Sequence, residues 1–208
     1  MKHELRNLIS GKNPVRDGEL IQTISCYLKG SAGASQMAKE QKHYKKKETE
    51  VLKGYIAENN LWVPAINLED YVSEGAEQKV YLNDSRHVIK LNDAIYYNSW
   101  EDYLNNLLLH NFFFTDTAYK LTGFTEENEV LYAIVKQPFV KATEPTNLQL
   151  VKDFLVENGF INTKNHDYYN SQLDIILEDL HDENVLTKNG TLYFIDTVFY
   201  IKDGFYKD

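Results

Sequence analysis

LEDLHDENVL (residues 177–186) and YFIDTVFY (residues 193–200) decide how this chain is read. Asp179 stands five residues before Asn184, and Asp196 ends an apolar run, Tyr193-Phe194-Ile195, twelve residues beyond that Asn. Phosphoryl transfer from a nucleotide can be built on such a set. One carboxylate meets an acceptor hydroxyl, while an amide oxygen and a second carboxylate hold Mg²⁺, an ion that prefers hard oxygen donors. The competing reading is an acidic surface loop, to which Glu178 and Asp182 would equally belong.

Upstream of these segments the text is β-rich. Asp70–Val72, Lys79–Leu82 and His87–Leu91 read as three strands, separated by turns at Ser73–Gln78 and Asn83–Ser85. Ser99-Trp100-Glu101-Asp102 has the pattern of a capping box and opens a helix with Trp100, Leu104, Leu107 and Leu108 as its apolar positions. Ala118–Phe124 and Val130–Val135 read as two more strands around the acidic turn TEENE. At Gln137–Val140 the chain leaves the sheet, with Pro138 marking a strand end. Asn147–Asn158 reads as one more helix, closed by Gly159, and short strands surround the two opening segments.

The first sixty residues differ in character. Leu20, Ile21, Ile24 and Leu28 recur at helical spacing, with Asp17 as the expected N-cap, and Gly30–Ser35 is expected to break that helix. A Gly/Ser/Ala stretch of this kind can cradle phosphate, but it follows no strand and lacks a GK[ST] ending, so it reads as a turn. A second helix is expected from about Ser35 to Asn59, with Met37, Tyr44, Val51, Leu52, Tyr55 and Ile56 on one side as a packing seam.

Residues 1–50 carry ten Lys/Arg against six Asp/Glu, and the remainder carries 12 against 25, giving a net charge of −9. An acidic body argues against a dedicated nucleic-acid binder, and Lys45-Lys46-Lys47 reads as a solvated helix face. Cys26, the single cysteine, cannot form an internal disulfide, which favours a reducing cytoplasmic setting. The stretch MKHELRNLIS lacks the apolar core of a signal peptide, and no run approaches the length of a membrane span. The 15 Tyr and 10 Phe predict a core rich in aromatic side chains, whose buried Tyr hydroxyls need partners.

Taken in order, these segments resemble the protein-kinase-like superfamily. The 177–186 loop is similar to the DLHxxN form of small-molecule kinases such as aminoglycoside phosphotransferases. More narrowly, EGAEQKVY (74–81), HVIKLND (87–93), LLLHNFFF (107–114), TAYKLTGF (117–124), IVKQPFV (134–140) and the two opening segments resemble the polyvalent-protein kinase domain. That domain occurs in bacterial mobile elements and phage-related proteins, and the resemblance covers about residues 70–200.

The resemblance implies ATP and Mg²⁺ as cofactors and a role for each matching residue. Lys90 would contact the α/β-phosphates, with Glu101 as its carboxylate partner. Read alone, Lys90 also fits a surface position on an edge strand, and Glu101 also fits the positive end of its helix. Gly75 would begin the phosphate-covering turn with the backbone N–H of Ala76, although one glycine equally fits an ordinary β-turn. Gln137, Phe139 and Val140 match the hinge that borders adenine, with Phe139 alternatively a core residue. Asp179 would take or orient the acceptor proton, and Asn184 and Asp196 would hold Mg²⁺. His181 matches a structural histidine of the loop.

Asp196 is followed by Thr197-Val198 where protein kinases have Phe-Gly, which implies no activation switch of that type. Twelve residues follow Asp196, so an abbreviated C-lobe is expected, with the N-terminal helices supplying replacement packing. The expected architecture is therefore α+β: an N-terminal helical extension (1–60) and a compact two-lobe kinase-like domain (61–208). The antiparallel N-lobe sheet would span about 61–137 and the reduced C-lobe about 141–208. The function implied is a phosphotransferase acting on an unknown protein or small-molecule hydroxyl. The alternative is a pseudokinase-like module that binds nucleotide or regulates a partner without turnover.

Overall fold

The structure is a computed structural model that describes residues 1–32, 41–63, 71–74 and 78–207. Three helices come first: α1 (Lys2–Ile9), α2 (Glu19–Ala32) and α3 (Gln41–Glu58). Strands β1 (Tyr71–Glu74), β2 (Gln78–Asp84) and β3 (His87–Asn92) precede α4 (Trp100–Phe113). Then come β4 (Lys120–Glu127), β5 (Val130–Pro138) and α5 (Leu148–Glu157). Six short strands follow: β6 (Ile161–Lys164), β7 (Asp167–Asn170), β8 (Ile175–Glu178), β9 (Val185–Lys188), β10 (Thr191–Phe194) and β11 (Val198–Ile201). The fold is α+β, as expected.

The first five strands form an antiparallel sheet in the order β1-β2-β3-β5-β4. The hairpin between β4 and β5 is tighter than the TEENE stretch suggests. Glu127 pairs with Val130, so only Asn128 and Glu129 turn, both with positive φ (50° and 66°). Two consecutive left-handed residues match the right-handed twist of the flanking strands, and this lets pairing extend through acidic residues that read as loop. Residues 61–63 lie against β4 at Gly123, where a Cβ would stand 2.6 Å from the Leu61 carbonyl oxygen, so only glycine fits.

After Pro138 the chain builds α5, the β9–β10 hairpin and a second antiparallel sheet ordered β11-β8-β7-β6. Aromatic side chains at the end of α4 bind this half to the first. Phe114 stacks on Phe194 at 4.1 Å between ring centroids, and Phe113 stacks on Phe199 at 5.5 Å. Phe113 and Phe114 thus form a seam between the two halves.

Several helix boundaries depart from the sequence reading. Asp17 does not cap α2; it sits at φ 56°, and the helix begins after Gly18. Gly30 does not break α2, which runs on to Ala32, because a glycine near an exposed helix end costs only about 1 kcal/mol against alanine. The rest of that stretch and Met37 lie outside the described residues. Helix α3 ends as its Asn59-Asn60 pair suggests. Asn60 takes φ 56°, Asn60 N–H bonds Ala57 O, and Leu61 N–H reaches back to Ile56 O at 2.9 Å.

The N-terminal helices pack into the common core. Leu5, Leu8, Ile21, Ile24, Leu52 and Ile56 share one buried cluster with α4 and both sheets. Polar contacts fix the arrangement. Lys2 Nζ lies 2.7 Å from Asp174, and Arg6 Nε donates to the Phe205 carbonyl at 2.6 Å. Lys45, read as part of a solvated face, instead donates to the carbonyls of Ala94 and Tyr97. From α3, the Glu48 carboxylate accepts from Trp100 N–H (2.6 Å) and Glu101 N–H (3.0 Å). Ser99 accepts from Asp102 N–H at 2.9 Å, so the expected capping box is present and all three leading N–H groups of α4 are satisfied.

Burial pushes the Glu48 carboxyl up to about 7, against the two N–H donors that favour its charged form. A carboxyl whose folded pKa lies above its unfolded value holds its proton more tightly in the native state, so stability falls as pH rises from about 4.5 to 7. Glu48→Gln removes a contribution to this slope on the order of 3 kcal/mol. Urea unfolding of both proteins between pH 5 and pH 7 checks this as a flatter stability profile in the variant; burial of Glu101 and Asp102 adds a residual slope of the same sign.

Candidate active site

Two hairpin-like pairings bring the C-terminal motif residues together. Strand β8 ends at Glu178, which pairs with Val198 at the start of β11. Asp179, just after β8, and Asp196, just before β11, therefore meet at one end of the same strand pair. On the other side Val185 pairs with Phe194, and the Asn184 carbonyl accepts Ile195 N–H at 2.9 Å. The Asp-x4-Asn spacing closes a tight loop between these pairings. Asn184 Nδ2 reaches back to Asp179 O (2.8 Å) and Asp179 Oδ2 (2.9 Å), while Leu180 and Val185 are fully buried as anchors. Asp179 itself takes φ 64°, a left-handed conformation that a non-glycine residue adopts at a cost, and it exposes its carboxylate. Its N–H is held by Asp167 Oδ1 at 3.2 Å.

Lys90 comes from the other sheet. β3 is flanked by β2 and β5, and Lys90 is 4% exposed, so it is not an edge-strand surface lysine. Its ammonium donates to the Ile195 carbonyl at 2.9 Å, lies 3.7 Å from Asp196 Oδ2 and sits 5.5 Å from the centre of the Tyr119 ring. The Tyr119 hydroxyl donates to the same Ile195 carbonyl at 2.8 Å. Gln78, from β2, also donates to Asp196 Oδ2.

Glu101 is placed elsewhere. Its carboxylate lies 3.6 Å from Lys29 of α2, so the expected pairing with Lys90 is corrected: Asp196 takes that position. The part of α4 that reaches the site carries neutral groups instead. Asn106 Oδ1 accepts Phe199 N–H at 2.8 Å, and His110 Nδ1 lies 2.7 Å from the Thr197 hydroxyl. His110 Nε2 faces the Thr117 carbonyl at 3.0 Å, which can only accept, so Nε2 carries the proton and Nδ1 accepts from Thr197. Full burial, with a smaller effect of Lys90, holds the His110 imidazole down to about 3, so it is neutral.

The residues expected at the hinge divide. Gln137 turns its amide inward, donating to the Thr117 carbonyl at 2.8 Å, and is 1% exposed. Phe139 is 43% exposed and is no core residue; its N–H bonds the Arg86 carbonyl at 2.7 Å. Val140 is half-buried beside it. Gly75 and Ala76 lie outside the described residues.

Two cavities adjoin at this constellation. One, of about 510 Å³, is lined by Val80, Val88, Lys90, Phe139, Leu186 and Ile195, among others. The other, of about 530 Å³, is lined by Tyr96, Asp167, Glu178, Asp179, His181 and Tyr200, among others. Gln78, Glu183, Asn184 and Asp196 line both. A cleft between an antiparallel sheet and a loop-rich half, with a buried lysine on one wall and a shared Asn/Asp pair at its floor, has the layout of a kinase. The family described as serine/threonine/tyrosine kinase found in polyvalent proteins matches residues 45–203. The chain belongs to that family. The match begins at Lys45, inside α3, and so takes in Glu48 and the polar contacts to α4. No curated protein matches the chain.

Sequence reasoning missed Gln78, His110, Thr117 and Tyr119 in this member of the family. A lone His in an apolar helix (LLLHN) and a Tyr opening a strand (TAYKL) were the available signals, and each also fits plain core. His110→Leu should cost about 1–3 kcal/mol by stranding the Thr197 hydroxyl in the interior, measured as a lower urea midpoint.

Proposed function

We propose that this chain is a Mg²⁺- and ATP-dependent phosphotransferase that moves the γ-phosphoryl group to a hydroxyl of a protein or small-molecule acceptor. The observation that carries the reading is the junction of the two cavities at Asn184 and Asp196, with Lys90 on one side and Asp179 on the other. A donor and an acceptor entering from opposite sides would meet in line at that junction.

In this reading the apolar walls Val80, Val88 and Leu186 take the adenine, next to the backbone of Gln137, Phe139 and Val140. Lys90 is a fixed positive charge for the phosphates; its rigid strand and burial favour a polyanion over water. Residues Gly75 and Ala76 would cover the phosphates. Asp179 accepts the proton of the incoming hydroxyl, and Asn184 keeps that carboxylate oriented by its hydrogen bond to Oδ2.

The donor set suits Mg²⁺. The Asn184 amide nitrogen is engaged by Asp179, which leaves its oxygen for a cation. Both Gln78 and Lys90 contact Oδ2 of Asp196, which leaves Oδ1. Among the described residues no group of three or more His, Cys, Asp or Glu is arranged to hold a metal alone. The ion would therefore be shared with the nucleotide phosphates, as Mg²⁺ commonly is. It would neutralise charge developing on the transferred group.

The convergence of Gln78 and Lys90 on Asp196 favours a second reading, a module that binds nucleotide or a partner without turnover. Purified protein with labelled ATP separates the two. Mg²⁺-dependent transfer or ADP formation is expected, and Asp179→Asn should slow it on the order of 10²–10⁴-fold while keeping nucleotide binding. Lys90→Ala should weaken ATP binding by about 1.5–3 kcal/mol, roughly tenfold to a hundredfold. Binding without turnover in the wild type selects the second reading, and no nucleotide binding in any form removes the phosphotransferase and leaves partner binding alone.

A further inference from the structure

The acceptor-side cavity contains a candidate acceptor of its own. Among the described residues lining it, Tyr96 and Tyr200 are the ones with hydroxyl groups. Tyr200 is set in β11, half-buried, with its ring 5.9 Å from that of Tyr97. Tyr96 is different: it is 58% exposed and sits at the tip of a turn between β3 and α4.

That turn is pinned on both sides of Tyr96. Tyr97 N–H bonds the Ala94 carbonyl at 3.0 Å, closing it. Asn92 Oδ1 accepts Ala94 N–H at 2.7 Å, and Asp93 Oδ1 accepts Ile95 N–H at 2.9 Å. Lys45 binds the carbonyls of Ala94 and Tyr97 from α3, and the Tyr97 ring is buried against Tyr103. The backbone is thus fixed while the side chain at its tip is exposed and borders the cavity that holds Asp179. A tether of this kind raises the effective concentration of a phenol at the site, because no second molecule has to be captured.

Resting on the phosphotransferase reading, we propose that Tyr96 is an intramolecular acceptor, phosphorylated by the active site of its own chain. The phenolic oxygen forms a bond to the γ-phosphorus as the bond from that phosphorus to the β,γ-bridging oxygen breaks. ADP leaves with the electron pair, and the phenolic proton passes to Asp179. The product carries a charge of about −1.5 to −2. Facing Asp167, Glu178, Asp179 and Glu183, it is repelled from the cavity that formed it. Modification therefore turns Tyr96 outward and changes access for any further acceptor.

The test is incubation of the full chain with Mg-ATP, followed by intact-mass and peptide mass spectrometry. A phosphate on Tyr96 is expected, with an initial rate per molecule that does not change on dilution. Asp179→Asn protein mixed with active wild type should stay unmodified at Tyr96, and Tyr96→Phe, at an exposed position, should lose the label while giving an unchanged circular dichroism spectrum. ADP formation, or phosphate on other residues, with Tyr96 unmodified overturns the proposal and leaves the kinase reading standing. Labelling of the Asp179→Asn chain in the mixture overturns the intramolecular route. Absence of both nucleotide binding and ADP formation overturns the proposal and the reading beneath it.

Discussion

A buried ammonium has to be answered. Lys90 is 4% exposed, and an isolated charge at that depth would carry a desolvation penalty of several kcal/mol. The chain answers it with the Ile195 carbonyl, the Asp196 carboxylate and the face of Tyr119. These partners belong to different parts of the molecule, so meeting the requirement of one side chain docks the five-stranded sheet onto the segment before β11. The geometry of the cleft follows from that docking. Asp196 is fixed relative to β3, and the β8–β11 and β9–β10 pairings then carry Asp179 and Asn184 to the same point.

Helix α4 is the strut between the supporting layer and the site. Its N-terminus is held by Glu48 and Ser99, and its inner side holds β11 through Asn106 and His110. In this arrangement no carboxylate of α4 is needed to steady Lys90. A neutral imidazole beside an ammonium adds no repulsion, and its two hydrogen bonds tie Thr117 and Thr197 together across the interior. The residue after Asp196 is thereby locked into the core at 2% exposure, where a switching element would need to move. The carboxylate that supports α4 comes from α3 instead, which makes the N-terminal helices part of the architecture that positions the cleft.

The sequence revealed what is local and hid what depends on tertiary phase. Asp179, Asn184 and Asp196 were legible because a tight loop and short pairings convert their spacing directly into proximity. Lys90 was singled out through the resemblance, because its strand read alone also fits a surface edge. Glu101 was misplaced because the rotation of α4 about its own axis is set by packing against α2 and the sheet, and no local pattern encodes it. The stretch Trp100–Phe113 is buried along most of its length, so its periodicity selects no single face. Lys45 read as a solvated charge for the same reason: a polar helix shows nothing of the backbone groups it will reach. His110 and Tyr119 are polar residues used inside the core, and in sequence they look like any other buried His or Tyr.

The clamp of Lys2 and Arg6 on residues 174 and 204–207 sets the two extremities of the fold side by side. Any polypeptide joined before α1 and any joined after the Asp203–Tyr206 turn would enter and leave at one spot. The fold then behaves as a cassette that can be spliced into a larger polypeptide without stretching its host. A pull applied through both junctions would load the α1 clamp first and reach the cleft between the two halves only after that latch had opened.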